Sequence, residues 1–223
     1  MNRIHAIRHA IAAAALCAVV GLAGIAGAAS ATVKSEEAVL GIERAVFAGG
    51  CFWCVESDFD HVPGVLKTVS GFTGGSVTNP TYKQVVREDT GHREAVLITF
   101  DPKVVSYAAL LDVYWRSVDP TDAGGQFCDR GHSYSTAIYA TSQAQLEAAQ
   151  ASKAALEKAG LPGGRPIVTE IVIAGPFWPA EEYHQDYYEK SPVQYKFYRW
   201  NCGRDARIEE LWGSEAHKGI VKE

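Results

Sequence analysis

The chain has 223 residues, 47% of them hydrophobic, and its 26 acids outweigh 21 lysines and arginines for a formal net charge of −5. That acidic balance argues against nucleic acid or an anionic membrane as a partner. The length suits one domain with a substantial core, and no repeat or low-complexity segment stands out beyond the N-terminus.

Arg3, His5, Arg8 and His9 make a basic start without an acid, followed by an alanine-rich apolar run from Ala10 to Ala28. Ala29-Ser30-Ala31 fits the small-x-small rule for signal peptidase, with Ala26-Gly27-Ala28 as a second candidate. Residues 1–31 therefore read as a signal peptide, and the protein is expected to be exported, to the periplasm or an equivalent space. An uncleaved anchor is the alternative. Cys17 lies inside this segment, and Leu16 before it does not fit a lipoprotein site, so Cys17 is expected to leave with the signal. Cleavage removes two arginines and no acid, leaving 19 basic against 26 acidic residues, a net charge of −7. Four cysteines remain: Cys51, Cys54, Cys128 and Cys202. Residues 32–43 read as a polar tether to a single domain over 44–223.

The first expected element of that domain is a buried strand, Ala45-Val46-Phe47-Ala48. It runs into Gly49-Gly50-Cys51-Phe52-Trp53-Cys54-Val55-Glu56, after which Val55, Phe59 and Val62 recur at roughly helical spacing. The two cysteines thus sit at a strand-to-helix turn, with Cys51 at the helix N-terminus. Unpaired N–H groups and the helix dipole favour thiolate there, by at most about 2 kcal/mol or roughly 1.5 pKa units. Two aromatic residues after Cys51 offer an apolar wall. A Cys-x-x-Cys pair is a redox pair or half of a zinc site, and a buried lone cysteine is usually inert.

Val65 to Phe72 reads as a strand after the Pro63-Gly64 turn, Thr81 to Arg87 as a short helix carrying Tyr82, and Glu94 to Phe100 as a strand ended by Asp101-Pro102. Ser106 caps a helix through Leu110, Leu111, Tyr114 and Trp115. Residues 121–132 are glycine-rich and polar without a period, the kind of loop that carries function. Tyr134 to Ala140 is the next strand. Ser142 and Gln145 form a capping box for a helix to Ala159, with Gly160 past its end. Ile167 to Ala174 reads as a strand, and Pro179 to Lys190 as a helix carrying Glu182, Tyr183 and His184. The tail from Tyr195 is aromatic and charged. Strands and helices mix without strict alternation, which predicts an α+β two-layer sandwich with a central mixed sheet.

Several stretches taken together resemble one family. They are Gly50-Cys51-Phe52-Trp53, Gly71-Phe72-Thr73-Gly74-Gly75, Asn79-Pro80-Thr81-Tyr82, Thr90-Gly91-His92-Arg93-Glu94, Asp119-Pro120-Thr121, Asp129-Arg130-Gly131 with Tyr134, and Ala180-Glu181-Glu182-Tyr183-His184-Gln185. Their order and spacing over roughly residues 44–213 are similar to the A-type peptide methionine sulfoxide reductases. The resemblance implies a ferredoxin-like fold and thiol-dependent reduction of methionine S-sulfoxide, free or in proteins, as repair after oxidative stress. It implies that Cys51 is the nucleophile, Phe52 and Trp53 hold the substrate methyl group, and Glu94 protonates the sulfoxide oxygen. Tyr82, Asp129 and Tyr134 would surround that oxygen. The chain departs from some relatives in having Cys54 where they have glycine, and Cys128 directly before Asp129.

The chemistry calls for these residue types independently. A sulfoxide is polar at oxygen and apolar at its methyl, so an aromatic wall plus a polar cluster suits it. Thiolate attack at sulfur is easier if the oxygen is protonated, which requires a neutral carboxylic acid. Cys51 would become a sulfenic acid, a second thiol would condense with it, and an external dithiol such as a thioredoxin-like protein would reduce the disulfide. Neither a metal nor an organic cofactor is required, and a monomer is expected. For the resolving thiol the expected order is Cys54, one helical turn from Cys51, then Cys202, then Cys128. His92, His132 and His184 read as structural hydrogen-bonding residues. Two other functions compete: a thiol–disulfide oxidoreductase using Cys51 and Cys54, and a binding module with zinc held by all four cysteines.

Overall fold

The computed structural model describes residues 41–160 and 164–221. The expected signal peptide, and all of the tether except its last three residues, lie outside the described residues. The apolar run forms β1 (Glu43–Ala48), with Ala45 to Ala48 at most 4% exposed. A run so completely apolar as Ala45–Ala48 has to lie inside a sheet, and β1 pairs on both edges. It runs antiparallel to β3 (Arg93–Phe100) on one side and to β6 (Ala137–Ala140) on the other. β2 (Val65–Thr73) pairs antiparallel to β3, and β7 (Glu170–Ile173) parallel to β6. With β8 (Phe177–Pro179) on the far edge of β2, the six-stranded sheet has the order β7-β6-β1-β3-β2-β8. A two-stranded ribbon, β4 (Gly125–Gln126) with β5 (Asp129–Arg130), stands apart from it.

Side-chain alternation divides the sheet into two faces. Ala45 and Phe47 of β1, with Val96, Ile98 and Phe100 of β3, enter the main core. That core is completed by α1 (Phe52–Asp60) and α3 (Tyr107–Trp115), through Val55, Phe59, Leu110, Leu111, Tyr114 and Trp115. Phe47 is its centre, 5.3 Å from the ring of Phe59 and 4.9 Å from that of Tyr114. Truncating a buried Phe of this kind costs about 3–5 kcal/mol. Val46, Ala48, Ala95, Ala137 and Tyr139 form a smaller cluster on the opposite face. The expected α+β layering and mixed sheet are therefore present.

Ser106 caps α3 as expected, its Oγ accepting from Ala109 N at 3.2 Å. The cap of α4 (Gln143–Ala159) is only half of the expected box. Ser142 Oγ accepts from Gln145 N, but the Gln145 amide turns to Thr141 N and Arg44 O instead of Ser142 N. The strand expected from Tyr134 begins at Ala137, because His132–Tyr134 is a 3-10 turn whose Ser133 N–H and hydroxyl donate to Glu88. The strand expected over 167–174 is confined to Glu170–Ile173.

The helix expected over 179–190 is broken. It becomes β8, a 3-10 turn at Glu182–His184 and the short α5 (Tyr187–Lys190). Asp186 makes the break with φ of 52°, and its N–H donates to buried Glu56 Oε2 at 3.0 Å. This tertiary bond overrides a local helical preference. Two helices follow, α6 (Pro192–Asn201) and α7 (Arg204–Trp212), separated by Cys202 and Gly203. α2 (Tyr82–Val85) is the short helix expected near Tyr82.

Candidate active site

Gly50 turns the chain from β1 into α1 with φ of +84°, and a Cβ there would lie 2.5 Å from Gln126 Cβ. Only glycine permits both that backbone and that approach. The turn is also held from behind by the tail. Arg204, 1% exposed, donates to Gly49 O at 3.1 Å and to Ser117 O at 2.8 Å. Gln126 fixes the base of the β4–β5 loop, accepting from Asp119 N and donating to Asp119 O.

Cys51 occupies the N-cap position of α1, as the spacing predicts. Its carbonyl accepts from Cys54 N at 3.1 Å, so the two thiols lie one turn apart on one face. Both are free and buried, at 6% and 2% exposure. The first free N–H of the helix, at Phe52, does not remain open for the sulfur. It donates to Glu94 Oε2 at 2.9 Å across the sheet. Glu94 is thus the cap of α1 supplied from β3, and it is 2% exposed.

Burial pushes the Glu94 carboxyl well above the ordinary carboxylate range, and the charges of Asp129 and Cys54 push it further against the Phe52 N–H. It is a buried acid suited to holding its proton. The Cys51 thiol is also pushed well up, first by burial and then by its hydrogen bond and charge interaction with Cys54. Cys54 is lowered by the hydrogen bond from Cys51, and Arg204 and Arg199 also lower it. This corrects the expectation that the helix end alone would make Cys51 the thiolate. Desolvation outweighs a dipole worth at most about 2 kcal/mol. The surroundings therefore favour the proton on Cys51 and the charge on Cys54.

The remaining expected residues converge around this centre. The Tyr82 and Tyr134 hydroxyls are hydrogen-bonded, and each feels the Glu94 charge. Asp129 accepts from the Tyr198 hydroxyl and is raised by burial. Trp53 stacks on Tyr187 at 3.9 Å, while its indole N–H donates to His184 Nδ1 at 3.1 Å. Phe52 is packed deeper, 1% exposed, between Phe72, Tyr82 and His184. Trp53 therefore presents the accessible aromatic face and Phe52 backs it.

Residues 43–216 match the family model described as peptide methionine sulfoxide reductase. The chain belongs to the peptide methionine sulfoxide reductase family. It is 54% identical over 178 residues to a peptide methionine sulfoxide reductase of Rhizobium meliloti, covering 80% of this chain and 87% of that one. A Bacillus subtilis peptide methionine sulfoxide reductase is 53% identical over 173 residues, covering 78% and 97%. Among solved structures, methionine sulfoxide reductase A of Corynebacterium diphtheriae is 33% identical with a TM-score of 0.62, covering 69% of this chain and 76% of that chain.

Within this reductase the four cysteines among the described residues fall into two pairs. Cys128 and Cys202 form a disulfide with a Cα–Cα separation of 4.8 Å, while Cys51 and Cys54 remain free. The zinc alternative needs four sulfurs together. Among the described residues, the potential ligand atoms within 4.8 Å of one another belong to Cys128, Asp129 and Cys202. Cys202 also proves to be the C-cap of α6.

His92 is structural, its ring accepting from Gly75 N at 3.1 Å and bonding Val77 O at 2.7 Å. Four contributors escaped sequence reading: Tyr187, Tyr198, Arg204 and Glu56. Tyr198 and Arg204 sit in the C-terminal tail, and Tyr187 in α5 just before it. The density of aromatics there was the one visible sign, because their partners lie 69 to 155 residues away.

Proposed function

We propose that this chain reduces methionine S-sulfoxide to methionine through a Cys51 sulfenic acid and a Cys51–Cys54 disulfide. The observation that carries this reading is the buried triangle of Cys51, Cys54 and Glu94, closed by the Phe52 N–H on Glu94 Oε2. The substrate methyl rests on Trp53, backed by Phe52, and the oxygen faces Tyr82, Tyr134 and Glu94. Asp129 completes the polar rim.

As substrate enters, the proton moves to Cys54 and the charge to Cys51, which attacks the sulfoxide sulfur. Glu94 gives its proton to the oxygen. The S–O bond breaks, methionine leaves, and Cys51 carries the hydroxyl as sulfenic acid. Cys54, one turn away, attacks Cys51 Sγ and water leaves. An external dithiol, by this reading a thioredoxin-like protein, takes up the disulfide in exchange for two electrons and two protons. The reaction calls for no metal or organic cofactor.

Support for Cys54 over Cys202 and Cys128 is its place one helical turn from Cys51, with Cys54 N donating to Cys51 O at 3.1 Å, and its free state, against the pairing of the other two. The four strands β1, β2, β3 and β6, antiparallel in the order β6-β1-β3-β2 with α1 and α3 in the crossovers, support a ferredoxin-like core. Export to the periplasm is supported by the basic–apolar–small-residue N-terminus, and a monomer is the mature form this reading proposes.

Cysteine-to-serine variants test the reading. Cys51→Ser should abolish sulfoxide reduction. Cys54→Ser should release one methionine per enzyme in a single turnover and then stall with thioredoxin. Normal turnover by Cys51→Ser would remove it as nucleophile. Normal cycling by Cys54→Ser would assign the resolving step elsewhere.

A further inference from the structure

The mechanism leaves one redox-capable group unused, the Cys128–Cys202 disulfide. Its two ends sit at chosen places. Cys128 directly precedes Asp129, and Cys202 is one helical turn beyond Tyr198, its N–H donating to Tyr198 O at 2.9 Å. The same two segments are joined a second time, by the Tyr198 hydroxyl donating to Asp129 Oδ2. Tyr198 also pulls the Cys51 thiol pKa downward against its burial, and its ring lies edge-on to Trp53 at 5.7 Å. A covalent link and a hydrogen bond thus close one small ring around the nucleophile.

The two segments differ in how firmly they are otherwise held. The end of α6 is anchored by Arg199 on Asp58 at 2.7 Å and by buried Arg204 just beyond. The other segment is a ribbon of two-residue strands, with Phe127 between them at φ of 55°. Its further ties are Gln126 at its base, the Phe127 ring under the buried Arg204 guanidinium at 4.8 Å, and the bidentate Arg130–Asp122 ion pair, whose arginine is half exposed. None of these ties reaches the Asp129 carboxylate, whose side-chain partner is Tyr198. The aspartate tip is therefore the part that needs fixing.

We propose that Cys128–Cys202 is a positioning clamp, which stays oxidised through turnover and holds the Asp129–Tyr198 pair against Cys51. The proposal rests on the assignment of Cys51 as nucleophile. The bond forms once, two thiols giving two electrons and two protons to a protein disulfide oxidant that becomes a dithiol. Each catalytic cycle then passes its two electrons through Cys51 and Cys54 alone.

The test compares Cys128→Ser/Cys202→Ser, Tyr198→Phe and the combined variant at a temperature well below every melting point. Cys128→Ala/Cys202→Val is the second disulfide-free variant should the serine one not fold. With a methionine sulfoxide peptide and dithiothreitol, the disulfide-free enzyme should lose about fivefold in kcat/KM through KM, the value of one modest hydrogen bond. Tyr198→Phe should lose the same amount, and the combined variant no more, as for groups acting as one unit. Alkylation of Cys51 should shift to higher pH equally in all three. Peptide mapping of the parent should find Cys128–Cys202 intact before and after turnover.

An unchanged kcat/KM without the disulfide would reduce it to a staple. Additive losses would make Tyr198 and the disulfide independent. Intact single turnover with stalled recycling would make the disulfide an electron relay. Each of these overturns the clamp. Failure of the underlying assignment reads out separately, as activity surviving in Cys51→Ser.

Discussion

Replacing Glu94 by Gln tests the proposed acid at a position where shape can be preserved. The carboxamide has the same size, and its oxygen can still accept from Phe52 N, the bond that measures 2.9 Å in the parent. What is lost is the proton. Burial and the Asp129 charge keep that proton on Glu94 well above the usual carboxyl range. A positioned general acid contributes about 10²–10⁴ in rate, or roughly 3–5 kcal/mol of barrier. Rapid-quench single turnover should therefore slow by that factor, while substrate affinity changes far less. The parent rate should also fall as pH rises through the raised Glu94 pKa, and the variant should lack that limb. Stability carries the same sign. An acid whose folded pKa is raised loses stabilisation as pH climbs from its unfolded to its folded value, so the Gln variant should match the parent in acid and exceed it in alkali. An undiminished single-turnover rate, or an alkaline limb that survives in the variant, would refute the assignment.

Three further outcomes are expected. Glu56 is pushed up to about 7, chiefly by burial and then by Asp60, so Glu56→Gln should equal the parent in urea at pH 4 and gain up to about 3 kcal/mol at pH 8; equal stability at both pH values would contradict this. The Cys128–Cys202 bond spans 74 residues, and chain entropy puts its removal at about 4 kcal/mol, a melting shift of roughly 10 °C or more. A shift of only a degree or two would mean the loop is already ordered in the unfolded chain. Mass spectrometry of the secreted product should find a start at Thr32 or Ala29, and a soluble full-length cytoplasmic product would end the export proposal.

The sequence alone determined the strand–turn–helix that presents Cys51, because each step there is local. An apolar run, two glycines and a helical period occupy adjacent residues. The caps and strands at Ser106, Ser142 and Glu94–Phe100 were legible for the same reason. The order of motifs carried the family, and the order survives without knowledge of the fold. Three-dimensional packing decided the rest. Which sulfur the surroundings favour as the charged one depends on desolvation and on Arg199 and Arg204, which fold back from the far end of the chain. Which cysteines pair depends on α6 ending beside the β4–β5 ribbon. The break at Asp186 depends on a carboxylate 130 residues earlier. Local pattern specifies local backbone, but burial and partner are properties of the assembled core, and in this protein they set the chemistry of the two free thiols.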